Sequence, residues 1–320
     1  MRHYILRRLL LLVPVIVGAS LVIFLLLRIL PGDPTYIIIG AEGGGQRGLE
    51  EQLAFMRQQL GLDKPLPVQY VTWMAGLLRL DAGASIIQRR PVFAMIGEAL
   101  PVTLELTLLS ALVALVVAIP VGVVSAVRQD TWLDYVFRVV SVGGLAFPTF
   151  WTGTLLIVIL SGYLQWMPPL GVVDFFEDPR GNLQQFMWPA LTLGFHFAAV
   201  LSRMTRSCML EVLRQDYIRT AWAKGLRERL VIARHALKNA MLPVVTVAGW
   251  QFGVLLGGSV IQEAIFSLPG MGRILVEGIF TRDYPVVQTI IVLLALIFLV
   301  VNLLVDLTYA WLDPRIRYSS

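Results

Sequence analysis

Charged and catalytic side chains are what this sequence has least of. Only 15% of its 320 residues are Asp, Glu, Lys or Arg, while 57% are hydrophobic. An ordinary globular domain runs at about 25% and about 45–50%. A soluble core cannot hide that much apolar surface, so lipid must cover it. The single cysteine, Cys208, excludes an internal disulfide; it stands near Arg206 and reads as a structural residue at a membrane edge. No HExxH, GxSxG, paired cysteine or GxxxxGK[ST] occurs. The residues for zinc hydrolysis, a nucleophile elbow or a phosphate loop are therefore missing. Three histidines, His3, His196 and His235, do not converge in sequence on a metal site. The chain is read as a non-enzyme that binds no cofactor and no metal of its own. Its net charge of +5 fits basic loops on an anionic leaflet better than nucleic acid.

What the sequence does have is apolar length. Six stretches approach the roughly 20 residues a bilayer crossing needs: Leu9–Leu27, Val102–Val127, Val139–Leu160, Trp188–Ser202, Leu242–Ile261 and Pro285–Val305. The expected fold class is an all-α polytopic membrane protein with six transmembrane helices. The N-terminal run resembles a secretory signal. Its length of 19 residues exceeds a signal core, however, and no small-x-small cleavage site follows, so it is expected to be kept as the first helix. Pro14, Pro120 and Pro148 fall inside spans, where neighbouring helices can satisfy the freed backbone groups.

Lys/Arg asymmetry orients the spans. With the N-terminus inside, segments 1–8, 128–138, 203–241 and 312–320 carry 16 of the 26 basic residues in 67 positions; the outer segments carry ten in 124. Both termini are therefore expected in the cytoplasm. The chain divides into a tail and first helix (1–30), an extracytoplasmic loop subdomain (31–100), a five-helix core (101–311) containing a cytoplasmic loop (206–241), and a cytoplasmic tail (312–320).

The 31–100 loop opens with a Gly-rich turn, Gly40–Gly48. Leu49, Leu53, Met56 and Leu60 follow on one helical face, with Gly61 as a C-cap. The stretch around Trp73, Met74, Leu77 and Leu78 reads as an interfacial helix. This loop is either a docking or gating element, or packing that seals the bundle. The last outer loop, 262–284, carries Pro269, Gly270, Gly272 and Asp283 and is expected to dip toward the membrane. Inside the spans, Glu105 and His196 are the candidates for ion coupling, and each reads more simply as a hydrogen-bonding partner within the bundle.

The polar stretch Glu211–Pro243 stands out against this background. It carries Arg214, Arg219, Lys224, Arg227, Arg229, Arg234 and Lys238, with Arg206 just upstream. Leu226, Leu230, Ala233 and Leu237 form an apolar helical stripe, and Arg227, Arg234 and Lys238 a charged one. Gly225 separates this second helix from a first, Asp216–Lys224. The bent pair either inserts into a cleft on a cytoplasmic protein or lies on lipid headgroups.

At this point the chain resembles a family. DYIRTAWAKGL…RHALKNAMLPVV (from Asp216) resembles the EAA loop of binding-protein-dependent ABC importer permeases of the dipeptide/oligopeptide/nickel branch. LRILPGDP (Leu27–Pro34), LGLDKPLPVQY (Leu60–Tyr70), EAIFSLPGMGRILVEGIFTRDYPVVQ (Glu263–Gln288) and VNLLVDLTYAWLDPRIR (Val301–Arg317) extend the likeness along nearly the whole chain. Counting back from Gly225, the Glu-Ala-Ala positions fall on Arg219, Thr220 and Ala221, of which only Ala221 matches; Gly225 matches.

The resemblance implies an ABC importer type I-like permease in a bacterial or archaeal plasma (inner) membrane. Its partners would be a second homologous permease, two cytoplasmic ABC ATPases that hold ATP and Mg, an extracytoplasmic binding protein, and lipid, with no nucleic acid. It places a coupling helix at Asp216, Tyr217, Arg219, Thr220, Ala221, Lys224, Gly225, Leu226, Arg234 and His235. It places contacts with the binding protein or gate at Pro269, Gly270, Gly272 and Asp283. Peptides are the expected substrate; nickel, glutathione or another small solute is the alternative within the family, and an ion-coupled secondary transporter the alternative outside it.

Overall fold

The structure is a computed structural model that describes residues 2–29, 49–59, 61–169 and 171–312. The Gly40–Gly48 turn, Leu60, most of the LRILPGDP motif and the tail after Leu312 lie outside the described residues. The described residues form helices and connecting turns; the only β pairing among them is an isolated bridge between Ala84 and Pro91. The helices are α1 (Arg2–Ile29), α2 (Leu49–Gln59), α3 (Leu66–Leu78), α4 (Val92–Val127), α5 (Trp132–Ala146), α6 (Thr149–Leu164), α7 (Pro179–Leu213), α8 (Asp216–Ala223), α9 (Glu228–Ile265), α10 (Met271–Thr281) and α11 (Tyr284–Leu312). By length and composition α1, α4, α9 and α11 can each cross a membrane, and the bent pair α5–α6 can count as a fifth crossing.

Several boundaries differ from the sequence reading, each for a physical reason. The expected span Val139–Leu160 is two helices bent by 98°. Pro148 has no N–H to donate, and its ring pushes Phe147 out of the helical region (φ −103°, ψ 131°). The stretch Trp188–Ser202 is the middle of the much longer α7. Asp178 accepts the Gly181 N–H at its start, with Pro179 in the first turn. A helix covered by protein needs no apolar coat: α7 buries Asn182, Gln185, Ser202 and Thr205 alongside Phe186, Leu193 and Phe197.

The chain forms two compact units. The first holds Met1–Pro101 and Gly270–Leu299. Its core gathers Ile23 and Leu27 of α1, Val92, Met95, Ile96 and Ala99 of α4, Met271 and Leu275 of α10, and Val286, Val287 and Ile290 of α11. α3 is seated on α1 by aromatic packing. Tyr70 meets Phe24 edge-on at 5.3 Å and Trp73 stacks on it at 6.3 Å, while the Tyr70 and Ser20 hydroxyls lie 2.8 Å apart. The expected dipping loop at 262–284 is mostly helix, because α9 continues to Ile265 and α10 occupies Met271–Thr281.

The second unit, Val102–Pro269 with Val300–Ser320, is a bundle held by close approach. A Cβ on Gly122 of α4 would come within 2.5 Å of Thr205 Cβ, and one on Gly194 of α7 within 2.7 Å of the Ser110 carbonyl oxygen. Missing side chains therefore let α4 and α7 touch backbone to side chain, the usual way helices associate where lipid removes the hydrophobic drive.

Candidate functional site: the polar projection between α7 and α9

α7 stops at Leu213. Gln215 turns extended (φ −75°, ψ 148°), and α8 begins at Asp216. α8 is only eight residues long, and isolated helices of that length are marginal. Packing holds it in place. Ile218 is fully buried and Ala221 nearly so, in a cluster with Cys208 and Met209 of α7, Ala126 of α4, and Val231, Ala236, Ala240 and Val244 of α9. The Tyr217 hydroxyl accepts a 3.0 Å bond from Asn239 Nδ2, whose amide also donates to the His235 carbonyl at 2.9 Å.

The turn after α8 is a Schellman motif. The Gly225 N–H donates to the Trp222 carbonyl (2.9 Å) and the Leu226 N–H to the Ala221 carbonyl (3.4 Å). Gly225 has φ +75°, the left-handed region that glycine enters without a Cβ penalty. Leu226, the residue after it, packs against the same cluster as Ile218 and Ala221, the apolar contact that accompanies this cap.

Beyond Gly225 the structure corrects the two-helix reading. The second helix is not separate: it begins at Glu228 and runs unbroken into the fifth span as α9. Residues Val231–Leu237 are π-helical, which widens each turn and shifts the phase of the buried face. The residues facing inward are Val231, Ala236 and Ala240, spaced by five and then four. Leu230 and Ala233, expected on the apolar stripe, are exposed. Arg227, Arg234 and Lys238 are exposed as expected.

The outward surface is therefore Asp216, Tyr217, Arg219, Thr220, Lys224, Gly225 and Arg234, with Leu226 and His235 half-buried. Ala221 faces the chain's own core, so it holds α8 rather than offering a contact. Trp222, which the sequence reading passed over, is 43% exposed on α8, and Tyr217 is 44% exposed. An aromatic standing out of a short polar helix was the available signal, since protein interfaces favour Trp, Tyr and Arg as anchors. The Arg219–Asp216 pair at 3.5 Å is almost fully exposed and adds little.

A buried ion pair braces the base of the projection, and the sequence reading did not find it. Asp134 of α5 has no exposed surface. Arg206 of α7 grips it with Nε to Oδ1 at 2.8 Å and Nη2 to Oδ2 at 2.6 Å. The Ser125 hydroxyl of α4 donates to the same carboxylate, as does the Asp130 N–H at 3.1 Å. Three helices thus meet on one charge. Two residues downstream of Arg206, the Cys208 thiol is buried in the cluster that holds α8.

The residues assigned to an outer gate are packed rather than presented. Gly270 and Gly272 are buried and Pro269 is half-buried. The Asp283 carboxylate, 3% exposed, accepts the Ser85 hydroxyl and the Ile86 N–H (3.1 Å) and so shapes the loop before α4. His196 lies 3.1 Å from the Gly144 carbonyl through Nδ1, and the Thr103 hydroxyl donates to buried Glu263 at 2.8 Å. Among the described residues no group of three His, Cys, Asp or Glu is placed to hold a metal.

Long apolar helices carrying a rigid polar projection define a multi-pass membrane protein. Residues 118–318 match the family model of the binding-protein-dependent transport system inner membrane component, and residues 1–107 match its N-terminal companion. Over 319 residues and the full length of both chains, the sequence is 42% identical to the glutathione transport system permease protein GsiC of Salmonella choleraesuis, and equally to that of Escherichia coli K12. Two crystal forms of the inward-facing MetNI methionine ABC transporter share the fold, with TM-scores of 0.56 and 0.57 at 19% and 18% identity. They cover 68% and 69% of this chain and 96% and 97% of theirs. The chain belongs to the binding-protein-dependent transport system inner membrane component family: it is a permease subunit of an ABC importer, multi-pass in the bacterial inner membrane.

Proposed function

We propose that this permease forms half of the translocation pathway for small peptides delivered by an extracytoplasmic binding protein. Glutathione, a tripeptide named for the 42%-identical relatives, is the first candidate substrate. In this reading α7 is a sixth crossing, both termini are cytoplasmic, and a second homologous permease completes the path. The α8 projection docks on one of two cytoplasmic ATPases, which bind ATP and Mg; this chain binds neither.

The observation that carries the reading is the projection. A short helix is fixed from behind by Ile218, Ala221 and the Gly225 cap, and holds Tyr217, Trp222, Arg219 and Lys224 outward. A flexible headgroup-binding loop would need none of this bracing. A cavity of about 590 Å³ on the second unit supports the pathway role. It is lined by Val113, Gly144, Thr152, Trp188, Thr192 and His196, an apolar wall with a few polar groups as solute sites have.

The test is uptake in proteoliposomes. The complete complex with its binding protein is expected to import labelled glutathione only with ATP inside. Uptake driven by a proton or sodium gradient through this chain without ATPase subunits would overturn the proposal. Uptake of other peptides but not glutathione would leave the importer and change its substrate.

A further inference from the structure

We propose that the first unit carries an oxyanion-binding pocket between α1, α3 and α11, distinct from the projection and from the pathway cavity. It encloses about 210 Å³ and is lined by Arg28, Lys64, Gln69, Trp73, Tyr284 and Gln288, among others. That volume admits a phosphate or carboxylate group and not a whole peptide.

The polar groups that line it offer hydrogen and positive charge. Gln288 is 2% exposed, yet its Nε2 has no hydrogen-bond acceptor; the buried Trp73 Nε1 has none either. Buried donors left unmatched are costly, and native structures pair the great majority of them. Two such donors, on residues that line one small cavity, point to an acceptor supplied from outside the chain. Arg28 adds full positive charge. Its guanidinium lies 3.5 Å over the Phe24 ring, with Nε donating to Gln69 Oε1 (3.0 Å) and Nη1 to the Phe24 carbonyl (3.1 Å), which spends two of its five N–H groups.

Gln69 cannot turn round to serve the orphans. Its Nε2 donates to the Leu62 and Lys64 carbonyls at 3.2 and 2.8 Å, which fixes its oxygen toward Arg28. Lys64 stands exposed at the rim. A guanidinium, an ammonium, an indole N–H and an amide N–H₂ together match a group that only accepts. That group is the phosphodiester of a phospholipid headgroup, or the phosphate or carboxylate of a free solute.

The test uses the full chain in a neutral detergent and titrates three probes, each read by native mass spectrometry: dihexanoyl phosphatidylglycerol, inorganic phosphate and acetate. Wild type is expected to hold one oxyanion. The double variant Trp73→Phe with Gln288→Met, which keeps apolar bulk and removes both donors, is expected to weaken binding by at least about tenfold. Trp73→Phe alone, the milder change, is expected to weaken it partway, and Trp151→Phe not at all. Phosphatidylglycerol bound and not displaced by excess phosphate assigns the site to lipid. Phosphate or acetate bound alone assigns it to a free solute. Absence of any bound oxyanion, or equal binding by wild type and both Trp73 variants, overturns the proposal.

Discussion

Gly225 shows how much one residue's backbone can decide. It makes a left-handed turn and no close approach: φ is +75°, and nothing lies within 4 Å of where a Cβ would stand. The consequence of substitution is therefore strain, not collision. Any L-residue with a Cβ here costs about 1–2 kcal/mol, with Asn the most tolerant. Gly225→Val and Gly225→Ala are expected to loosen α8, raising amide exchange over 216–226 and lowering uptake per ATP hydrolysed in the assembled importer, while Gly225→Asn stays near wild type. Val and Ala variants with unchanged exchange and coupling would count against the cap. Cys208 makes a second residue-scale prediction. It is buried in the cluster with Ala126, Met209 and Ile218, where a structural thiol is inert because reagents cannot reach it. The folded protein is expected to resist N-ethylmaleimide and to label promptly once denatured; rapid labelling of the folded chain would contradict the packing.

Among the elements, helices were legible wherever apolar length was the whole signal: α1, α4, α9 and α11 all contain their expected spans. What escaped was decided by contacts between helices. α7 looked short because its buried face carries Asn182, Gln185 and Thr205, polar residues that only a neighbouring helix makes tolerable. The π segment Val231–Leu237 leaves no mark on a periodicity read at 3.6 residues per turn, so the apolar stripe came out in the wrong phase. Asp134 carries no motif or periodicity of its own; it joins α4, α5 and α7 through Ser125 and Arg206. Removing one partner leaves an uncompensated charge. Asp134→Ala is therefore expected to cost about 3–5 kcal/mol, whereas Asp134→Leu with Arg206→Met should cost much less. Thermal unfolding of the solubilised chain measures both; a single variant as stable as the double one would remove the ion pair from the account.

At the scale of the whole molecule, positive charge is the one global signal the sequence carries, because a membrane sorts loops by Lys and Arg before any packing forms. By that rule the α8 projection is expected in the cytoplasm and the segment after α6 on the far side. That orientation places the braced, aromatic-tipped helix where an ATPase could meet it, so the proposed mechanism stands or falls with it. The inertness expected of Cys208 makes the check direct, since single cysteines can be added without removing it. Phe176, 92% exposed after α6, and Lys224, exposed at the end of α8, serve as reporters. In intact cells with the outer membrane made permeable, a membrane-impermeant maleimide is expected to label Phe176→Cys and to spare Lys224→Cys. In cells lacking the ATPase subunits, which would otherwise cover α8, rupturing the inner membrane should then expose Lys224→Cys fully. The opposite order would place the projection outside the cell, away from any source of ATP, and end its role as a coupling element.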